Sequence, residues 1–291
     1  MAFSIDFGSG DFLAATAEVL AVILTEGGFE KQRPFAALDA ALGGGLATHV
    51  ENGQFRGRKD QVLEVPTLGR IQAARVVLVG AGPKRGFSGA RLRQASAVAA
   101  RTAASAKSLA VMLGDHAESA AAVRQVVEGV GLGAYTFSKY FTGERAPKRT
   151  LGSVLLYRAR GRVGAADRRA LEQGVAVARG VNLARDAVNE PPNVLTPEML
   201  AEMARGIAKE GRLKITVLDE KGIRKAGMNL LAAVGQGSVH PPRFIHLSYV
   251  PKRAKAKIVF VGKGLTFDSG GLCIKPAEGM GDMKRDMGGA A

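Results

Sequence analysis

The sequence predicts an α/β protein of two domains, and three observations support this. The chain has 291 residues, more than the roughly 100–200 residues of a typical domain. Apolar, β-branched runs that end in or just before glycine, such as AEVLAVIL (17–24) and ARVVLVGAG (74–82), are typical of buried strands. Helical patterns separate these runs, which favours a mostly parallel or mixed sheet covered by helices on both faces.

The first set of alternating elements predicts a smaller N-terminal α/β domain over residues 1–160. Its remaining strands are expected at LAVMLG (109–114) and SVLLYR (153–158), and its helices in the Ala-rich stretch 88–108 and in ESAAAVRQVVEGVGLGAYTFSKYF (118–141). A long helical pattern follows at 165–190 and predicts a helix that links the two domains. It stops at NEPPN, because paired prolines cannot continue a helix.

The second set predicts a C-terminal α/β domain over residues 191–291. It opens with the helix TPEMLAEMARGIAKE, for which Thr196 supplies the N-cap and Pro197 the first helical residue. Strands are predicted at KITVLD (214–219), LLAAVG (230–235), RFIHLSYV (243–250) and KIVFVGKG (257–264). Ligands of open sheets bind at the carboxyl ends of strands, and the last strand would deliver Lys263 to such an end.

Composition argues against several classes of protein. The single cysteine, Cys273, cannot form an internal disulfide, and no CxxC motif or Cys/His cluster indicates structural zinc. The N-terminus MAFSIDFGSGD lacks the basic region of a secretory signal, and its most apolar run is far shorter than the roughly 20 residues of a membrane span. These features predict a cytoplasmic protein with no membrane segment.

The formal net charge is +15 and is spread along the chain. A distributed basic excess is most often a solvated surface, and contact with nucleic acid or another anionic surface is the second interpretation. Aromatic residues make up 5% of the chain and tryptophan is absent, which argues against stacking on single-stranded nucleic acid.

Several short motifs resemble known sites without meeting their requirements. The glycines of VVLVGAGPKRG, which are Gly80, Gly82 and Gly86, have the spacing GxGxxxG and no acidic residue about 20 positions later, so a dinucleotide site is disfavoured against a plain turn. VGKGLTF lacks the upstream glycine and the GK[ST] of a P-loop. FDSGG resembles the nucleophile segment of serine proteases, but that chemistry needs a histidine base. The histidines, whose context supports neither a base nor a ligand, are His49, His116, His240 and His246.

Residues 259–289, VFVGKGLTFDSGGLCIKPAEGMGDMKRDMGG, favour a metal site. Four charged residues stand among glycines after an apolar run: Lys263, Asp268, Lys275 and Asp286. Carboxylates are hard ligands suited to Mn²⁺, Mg²⁺ or Zn²⁺, and a lysine amine coordinates once it is deprotonated. Lys275 remains as a cation that could polarise a substrate carbonyl.

The same segment, VGKGLTFDSGGLCIKP…MKRDMGGAA, closely resembles the signature of the leucine aminopeptidase (cytosol aminopeptidase) family of dinuclear metallopeptidases. The segments at 182–202 and 227–243 also resemble that family, whereas the likeness before residue 165 is vague. The resemblance implies an N-terminal α/β domain joined to a C-terminal α/β metallopeptidase catalytic domain. It also implies two divalent ions, Mn or Zn, in each active site, peptide substrates and assembly into a homo-oligomer, a hexamer.

The resemblance further implies a role for each residue. Lys263, Asp268 and Asp286 would bind metal, with Asp268 bridging two ions. Lys275 would be catalytic and stabilise the oxyanion of the tetrahedral intermediate, and Met283 would line the substrate pocket. The implied activity is the release of N-terminal amino acids, preferentially leucine-like, by water that two metal ions activate.

Two further expectations accompany this assignment. A DNA-binding or architectural role is the alternative function, favoured by the basic charge although no recognition motif supports it. Catalytic domains of this family continue with a second cluster, Asn-Thr-Asp-Ala-Glu-Gly-Arg, which supplies two more carboxylates and an arginine, and nothing similar occurs in the 291 residues. We therefore expect a C-terminally truncated chain with an incomplete catalytic domain, which binds metal weakly and hydrolyses nothing as it stands.

Overall fold

The structure, a computed structural model, describes residues 3–114, 119–158 and 161–291. It divides into two compact units, residues 1–182 and residues 183–291. The boundary lies inside a helix of 25 residues, Ala165–Asn189, in the stretch that the sequence assigns to a linking helix. His116, one of the four histidines, lies outside the described residues.

The first unit is a six-stranded sheet with helices on both faces. Its strands are β1 (Ser4–Phe7), β2 (Val19–Glu26), β3 (Val62–Pro66), β4 (Arg75–Pro83), β5 (Ser108–Leu113) and β6 (Ser153–Arg158). Its helices are α1 (Arg33–Ala41), α2 (Gly45–Asn52), α3 (Gly89–Thr102), α4 (Ala120–Gly133) and α5 (Ala165–Asn189). The strand order is β1-β6-β5-β2-β4-β3, and every neighbouring pair is parallel except β3 with β4.

Two buried layers explain why the central strands are apolar along most of their length. On β2, Val19, Ala21 and Ile23 pack in a layer with residues of α3 and α4. The alternate residues of the strand, which include Leu20 and Val22, pack in the opposite layer with residues of α1 and α2. Because a parallel sheet is covered on both faces, its strands lose the alternation of apolar and polar residues. The prediction of an α/β fold with buried strands is confirmed.

Two glycines of α4 let it lie unusually close to α3. A Cβ atom built on Gly129 would stand 2.2 Å from the Arg93 carbonyl oxygen, and one on Gly133 would stand 2.2 Å from the Ala97 carbonyl oxygen. The two glycines are four residues apart and therefore share one face of the helix. This close packing of the helices depends on the absence of side chains there.

The substitution Gly129→Ala should lower the free energy of unfolding by about 2 kcal/mol, because the new methyl group forces the two helices apart. Urea unfolding of the purified chain measures the change. Gly180→Ala is the matched control: Gly180 lies inside α5 and a Cβ there meets nothing within 4 Å, so alanine should leave stability unchanged or raise it by up to about 1 kcal/mol. Equal stability of the two variants would contradict this account of the helix packing.

The second unit surrounds a short antiparallel ladder. Its elements are α6 (Pro197–Gly211), β7 (Lys214–Leu218), α7 (Glu220–Lys225), α8 (Asn229–Gly235), β8 (Phe244–Ser248) and the short α9 (Ala277–Met280). The two strands pair with each other from Lys214 opposite Ser248 to Leu218 opposite Phe244. At the start of α6 the Thr196 hydroxyl accepts a hydrogen bond from the Met199 amide, 3.4 Å away, and Pro197 is the first helical residue. The predicted N-cap is confirmed.

Two predicted strands of the second unit are wrong. LLAAVG (230–235) lies in α8, because leucine and alanine are strong helix formers and a short apolar run has no period that separates helix from strand. KIVFVGKG (257–264) is not a strand, since no neighbouring strand pairs with it among the described residues. Its four apolar side chains, Ile258 to Val261, are 70–94% exposed. Lys263 therefore does not follow a strand of the sheet.

Sequence patterns did not predict β1, β3, α1 or α2, which are short or amphipathic. Of the remaining histidines, His49 lies on α2, His240 in a bend and His246 on β8. Within the part of the chain that the structure describes, no helix combines the length and the apolar character that crossing a membrane requires.

Candidate metal centre

Four charged side chains that the sequence singles out meet in the second unit. The Lys263 Nζ atom lies 2.7 Å from Asp286 Oδ2 and 3.8 Å from Asp268 Oδ2. The Lys275 Nζ atom lies 2.7 Å from the same Asp268 oxygen. We call Lys263, Asp268, Lys275 and Asp286 the lysine–aspartate cluster. The structure thus brings together the residues that the sequence predicts to form one site.

A tight turn brings Lys275 to Asp268. Asp268 Oδ1 accepts a hydrogen bond from the Gly270 amide at 3.0 Å, a local bond that aspartate makes readily in turns. The Lys275 amide donates to the Ser269 carbonyl at 2.9 Å, and Gly270 and Ile274 form an isolated bridge. The chain thus reverses between the two charged residues, and one carboxylate oxygen of Asp268 is left to face both lysines.

A close crossing of two backbone segments brings Lys263 to Asp286. A Cβ atom built on Gly262 would stand 2.1 Å from the Gly289 carbonyl oxygen, and one on Gly289 would stand 3.2 Å from the Lys263 amide nitrogen. The segment before Lys263 therefore lies directly against the segment after Asp286. Only glycine at position 262 allows this approach.

A buried methionine anchors the chain beside Asp286. Residues Gly281–Arg285 form a 3₁₀ turn, and the Asp286 amide continues it by donating to the Met283 carbonyl at 3.2 Å. Met287, the next residue, is fully buried against Ala187 and Leu195. Packing of this side chain against the last turn of α5 and the loop that follows it holds Asp286 in place.

The ion pairs stabilise the charged forms of Lys263 and Asp268. The Asp286 carboxylate raises the pKa of Lys263 above its ordinary value. The Lys275 ammonium group, helped by the Gly270 amide, lowers the pKa of Asp268 below its ordinary value. The two lysines and the two aspartates of the cluster carry equal and opposite formal charges. A metal ion that takes Lys263 as a ligand has to displace its proton.

The donor set suits a hard divalent cation. Both aspartate side chains are 24% exposed, so solvent can reach carboxylates that the fold already holds in place. Among the described residues, no group of three or more His, Cys, Asp and Glu side chains could hold a metal ion. A further side-chain donor from the cluster would have to be a lysine amine, and the Lys263 amine lies within 4 Å of both carboxylates. These residues fit a cation that prefers oxygen ligands.

Met283, the predicted pocket residue, lies in the 3₁₀ turn and is half-buried, and its role stays a prediction. Sequence reasoning missed Gly262 and Gly289, whose contact depends on how two distant segments cross. It also missed Lys284, whose Nζ donates to the Asn189 carbonyl at 2.8 Å. No local pattern indicates the partner of that lysine.

Two family models match the chain. The catalytic domain of the cytosol aminopeptidase family matches residues 182–291, which include the whole lysine–aspartate cluster. The N-terminal domain of the same family matches residues 21–143.

Curated relatives agree with these models. A probable cytosol aminopeptidase of Geobacter sp. (strain M21) is 40% identical over 265 residues, which are 90% of this chain and 54% of the relative. A cytosol aminopeptidase of Pseudomonas aeruginosa is 41% identical over 267 residues, which are 88% of this chain and 53% of the relative. The chain thus spans about half the length of the curated relatives it matches.

Solved structures give the same result. A tomato leucine aminopeptidase mutant superposes with a TM-score of 0.81 at 29% identity, covering 99% of this chain and 57% of that one. The bottromycin maturation enzyme BotP in complex with Mn superposes with a TM-score of 0.73 at 32% identity, covering 94% of this chain and 54% of that one. With the predicted two-domain α/β architecture and the predicted cluster both present, the chain belongs to the cytosol aminopeptidase family.

Proposed function

We propose that this protein is a metal-dependent aminopeptidase that releases N-terminal amino acids, preferentially leucine-like, from peptides. The observation that carries the proposal is the lysine–aspartate cluster, in which two carboxylates and an amine converge beside a second lysine. The cytosol aminopeptidases among its relatives and the leucine aminopeptidase structure support the reaction class.

Lys263, Asp268 and Asp286 would hold the metal, and the complex of BotP with Mn supports manganese, with zinc as the alternative. Divalent ions in such a site supply a Lewis acid and lower the pKa of bound water, the usual chemistry of a dinuclear hydrolase. Asp268 would be the central residue that holds metal, because its Oδ2 atom already faces two cations, the ammonium groups of Lys263 and Lys275.

Lys275 would act on the substrate carbonyl. Its side chain is about one-third exposed, and its Nζ atom is anchored on Asp268 beside the proposed metal ligands. A fixed cation where negative charge develops lowers the barrier, and one well-placed donor of this kind contributes about 3 kcal/mol. Met283, in the same unit, would line the pocket for the first side chain of the substrate. A cytoplasmic location and a homo-oligomer, a hexamer, complete the proposal.

The donor set predicts how the 291-residue chain behaves. Its described residues bring together two carboxylates and one amine, which suffice for weak binding of one ion and fall short of two. We expect the purified chain to bind Mn²⁺ without hydrolysing leucine anilide. The same chain extended at residue 291 by the remaining length of the Pseudomonas aeruginosa relative should hydrolyse it, and exhaustive chelation should abolish the activity.

Two outcomes would contradict the proposed function, and a third would contradict the expected inactivity of the 291-residue chain. Hydrolysis by the extended chain that survives chelation would exclude a metal-dependent reaction. Robust turnover by the 291-residue chain would show that its three donors suffice. Equal rates on leucine anilide and on its N-acetylated form would show that a free amino terminus is not recognised, which would exclude an aminopeptidase.

A further inference from the structure

Lys284 makes a contact that the proposed chemistry does not use. Its Nζ atom donates to the Asn189 carbonyl at 2.8 Å in a partly buried position, across 95 residues of chain. Asn189 is the last residue of α5, whose final turn carries no basic residue of its own. The last carbonyls of a helix lack partners within the helix and carry the negative end of its dipole, so a lysine there binds favourably.

This contact lies next to a proposed metal ligand. Lys284 precedes Asp286 by two residues, and Met287 follows it, buried against Ala187 and Leu195. The turn that carries Asp286 is thus attached to the end of α5 on both sides, by a charged hydrogen bond before it and by apolar packing after it. A methionine side chain is flexible, whereas the hydrogen bond fixes both a distance and a direction.

We propose that Lys284 is a positioning residue, which holds Asp286 at the distance from Lys263 and Asp268 that metal binding requires. The proposal rests on the proposed function, since it takes Asp286 as a metal ligand. Lys284 acts through the backbone of the 281–286 turn, and its ammonium group is directed at a helix terminus. Residues that orient metal ligands from outside the ligand set change metal affinity by about 10–100-fold when they are lost.

The test compares three variants of the 291-residue chain. Lys284→Met keeps most of the length of the side chain and removes its charge and its donors, whereas Lys284→Arg keeps the charge and the donors. Arg285→Met is the matched control, because Arg285 is adjacent, more than half exposed and paired with Asp282 at 3.3 Å. Calorimetric titration with Mn²⁺ gives the affinity, amide hydrogen exchange reports on residues 281–288, and thermal unfolding reports on the fold.

We expect Lys284→Met to weaken Mn²⁺ binding about tenfold and to speed exchange in the 281–288 turn, with thermal unfolding nearly unchanged. Lys284→Arg should recover most of the affinity and the protection, and Arg285→Met should match the parent chain in all three measurements. Recovery by arginine is the result that a purely space-filling role for the side chain would not give.

Two results would overturn the proposal while leaving the metal site intact. One is unchanged exchange in the turn of Lys284→Met, and the other is faster exchange with unchanged Mn²⁺ affinity. A parent chain that binds no Mn²⁺ is a different result, because it refutes the proposed metal site and overturns the role of Lys284 with it.

Discussion

Replacing Asp268 with asparagine should weaken Mn²⁺ binding by about 100-fold or more, because loss of a metal ligand should cost at least as much as loss of a residue that orients one, which costs about 10–100-fold. Asp268 lies at the centre of the lysine–aspartate cluster, where one carboxylate oxygen faces both lysines. Asparagine retains an oxygen that can accept the hydrogen bond from the Gly270 amide, so the turn should persist. The formal charge of the cluster, however, changes from zero to +1, which repels a divalent cation.

The matched control for this substitution is Asp282→Asn. Asp282 lies in the 3₁₀ turn, four residues before Asp286, and its side chain is 64% exposed and paired with Arg285. It carries the same charge and undergoes the same chemical change, so it should bind Mn²⁺ like the parent chain. Equal losses of affinity in both variants would show that overall charge governs binding, and they would contradict the central role of Asp268 in the metal site.

The substitution Gly262→Ala should weaken Mn²⁺ binding about tenfold or more, although position 262 carries no ligand atom. The added methyl group would stand 2.1 Å from the Gly289 carbonyl oxygen, and backbone atoms there cannot rotate away as a side chain would. The two segments must separate, which moves Lys263 from Asp286 and costs about 1–3 kcal/mol of stability. Titration with Mn²⁺ and urea unfolding measure the two effects.

Gly281→Ala serves as the control for Gly262→Ala. Gly281 lies close to Asp286 in the sequence, has helical backbone angles of φ −58° and ψ −27°, and a Cβ there meets nothing within 4 Å. Alanine should be tolerated without loss of affinity. If Gly262→Ala binds Mn²⁺ as tightly as Gly281→Ala does, the crossing at Gly289 does not set the geometry of the cluster.

The sequence predicts most of the first unit because each of its main elements follows a single sequence rule. Apolar runs such as Val19–Glu26 are strands that lie buried between two layers of helices. The helix Ala165–Asn189 spans nearly the whole predicted stretch, since the prolines after Glu190 forbid its continuation. The edge strand β3 was missed because only Val65 of its five residues is buried, so its pattern is weak.

The second unit shows where the same rules stop working. Residues 258–261 have the composition of a strand, yet a strand exists only where another strand pairs with it, and none does among the described residues. Residues 230–235 are apolar enough for either structure, and their helix propensity decides in favour of α8. Pairing partners and competing propensities are properties of the folded chain, which a single segment does not reveal.

The candidate site was predictable as a set of residues but not as an arrangement. The residue types and their short spacing indicate that Lys263, Asp268, Lys275 and Asp286 act together, and the structure brings them within ion-pairing distance. Two contacts hold these residues in place, and both join segments that are far apart in the chain. They are the backbone crossing of Gly262 with Gly289 and the hydrogen bond from Lys284 to the Asn189 carbonyl. No periodicity or local propensity encodes such contacts.

A crystal structure of the 291-residue chain grown with Mn²⁺ would test the central claim most directly. Anomalous scattering locates manganese independently of the protein density. We predict a manganese peak within coordination distance of carboxylate oxygens of both Asp268 and Asp286, with the Lys263 amine as a third ligand. A map at saturating Mn²⁺ with no peak between these two aspartates, or with its strongest peak elsewhere, would contradict the assignment of the lysine–aspartate cluster as the metal centre.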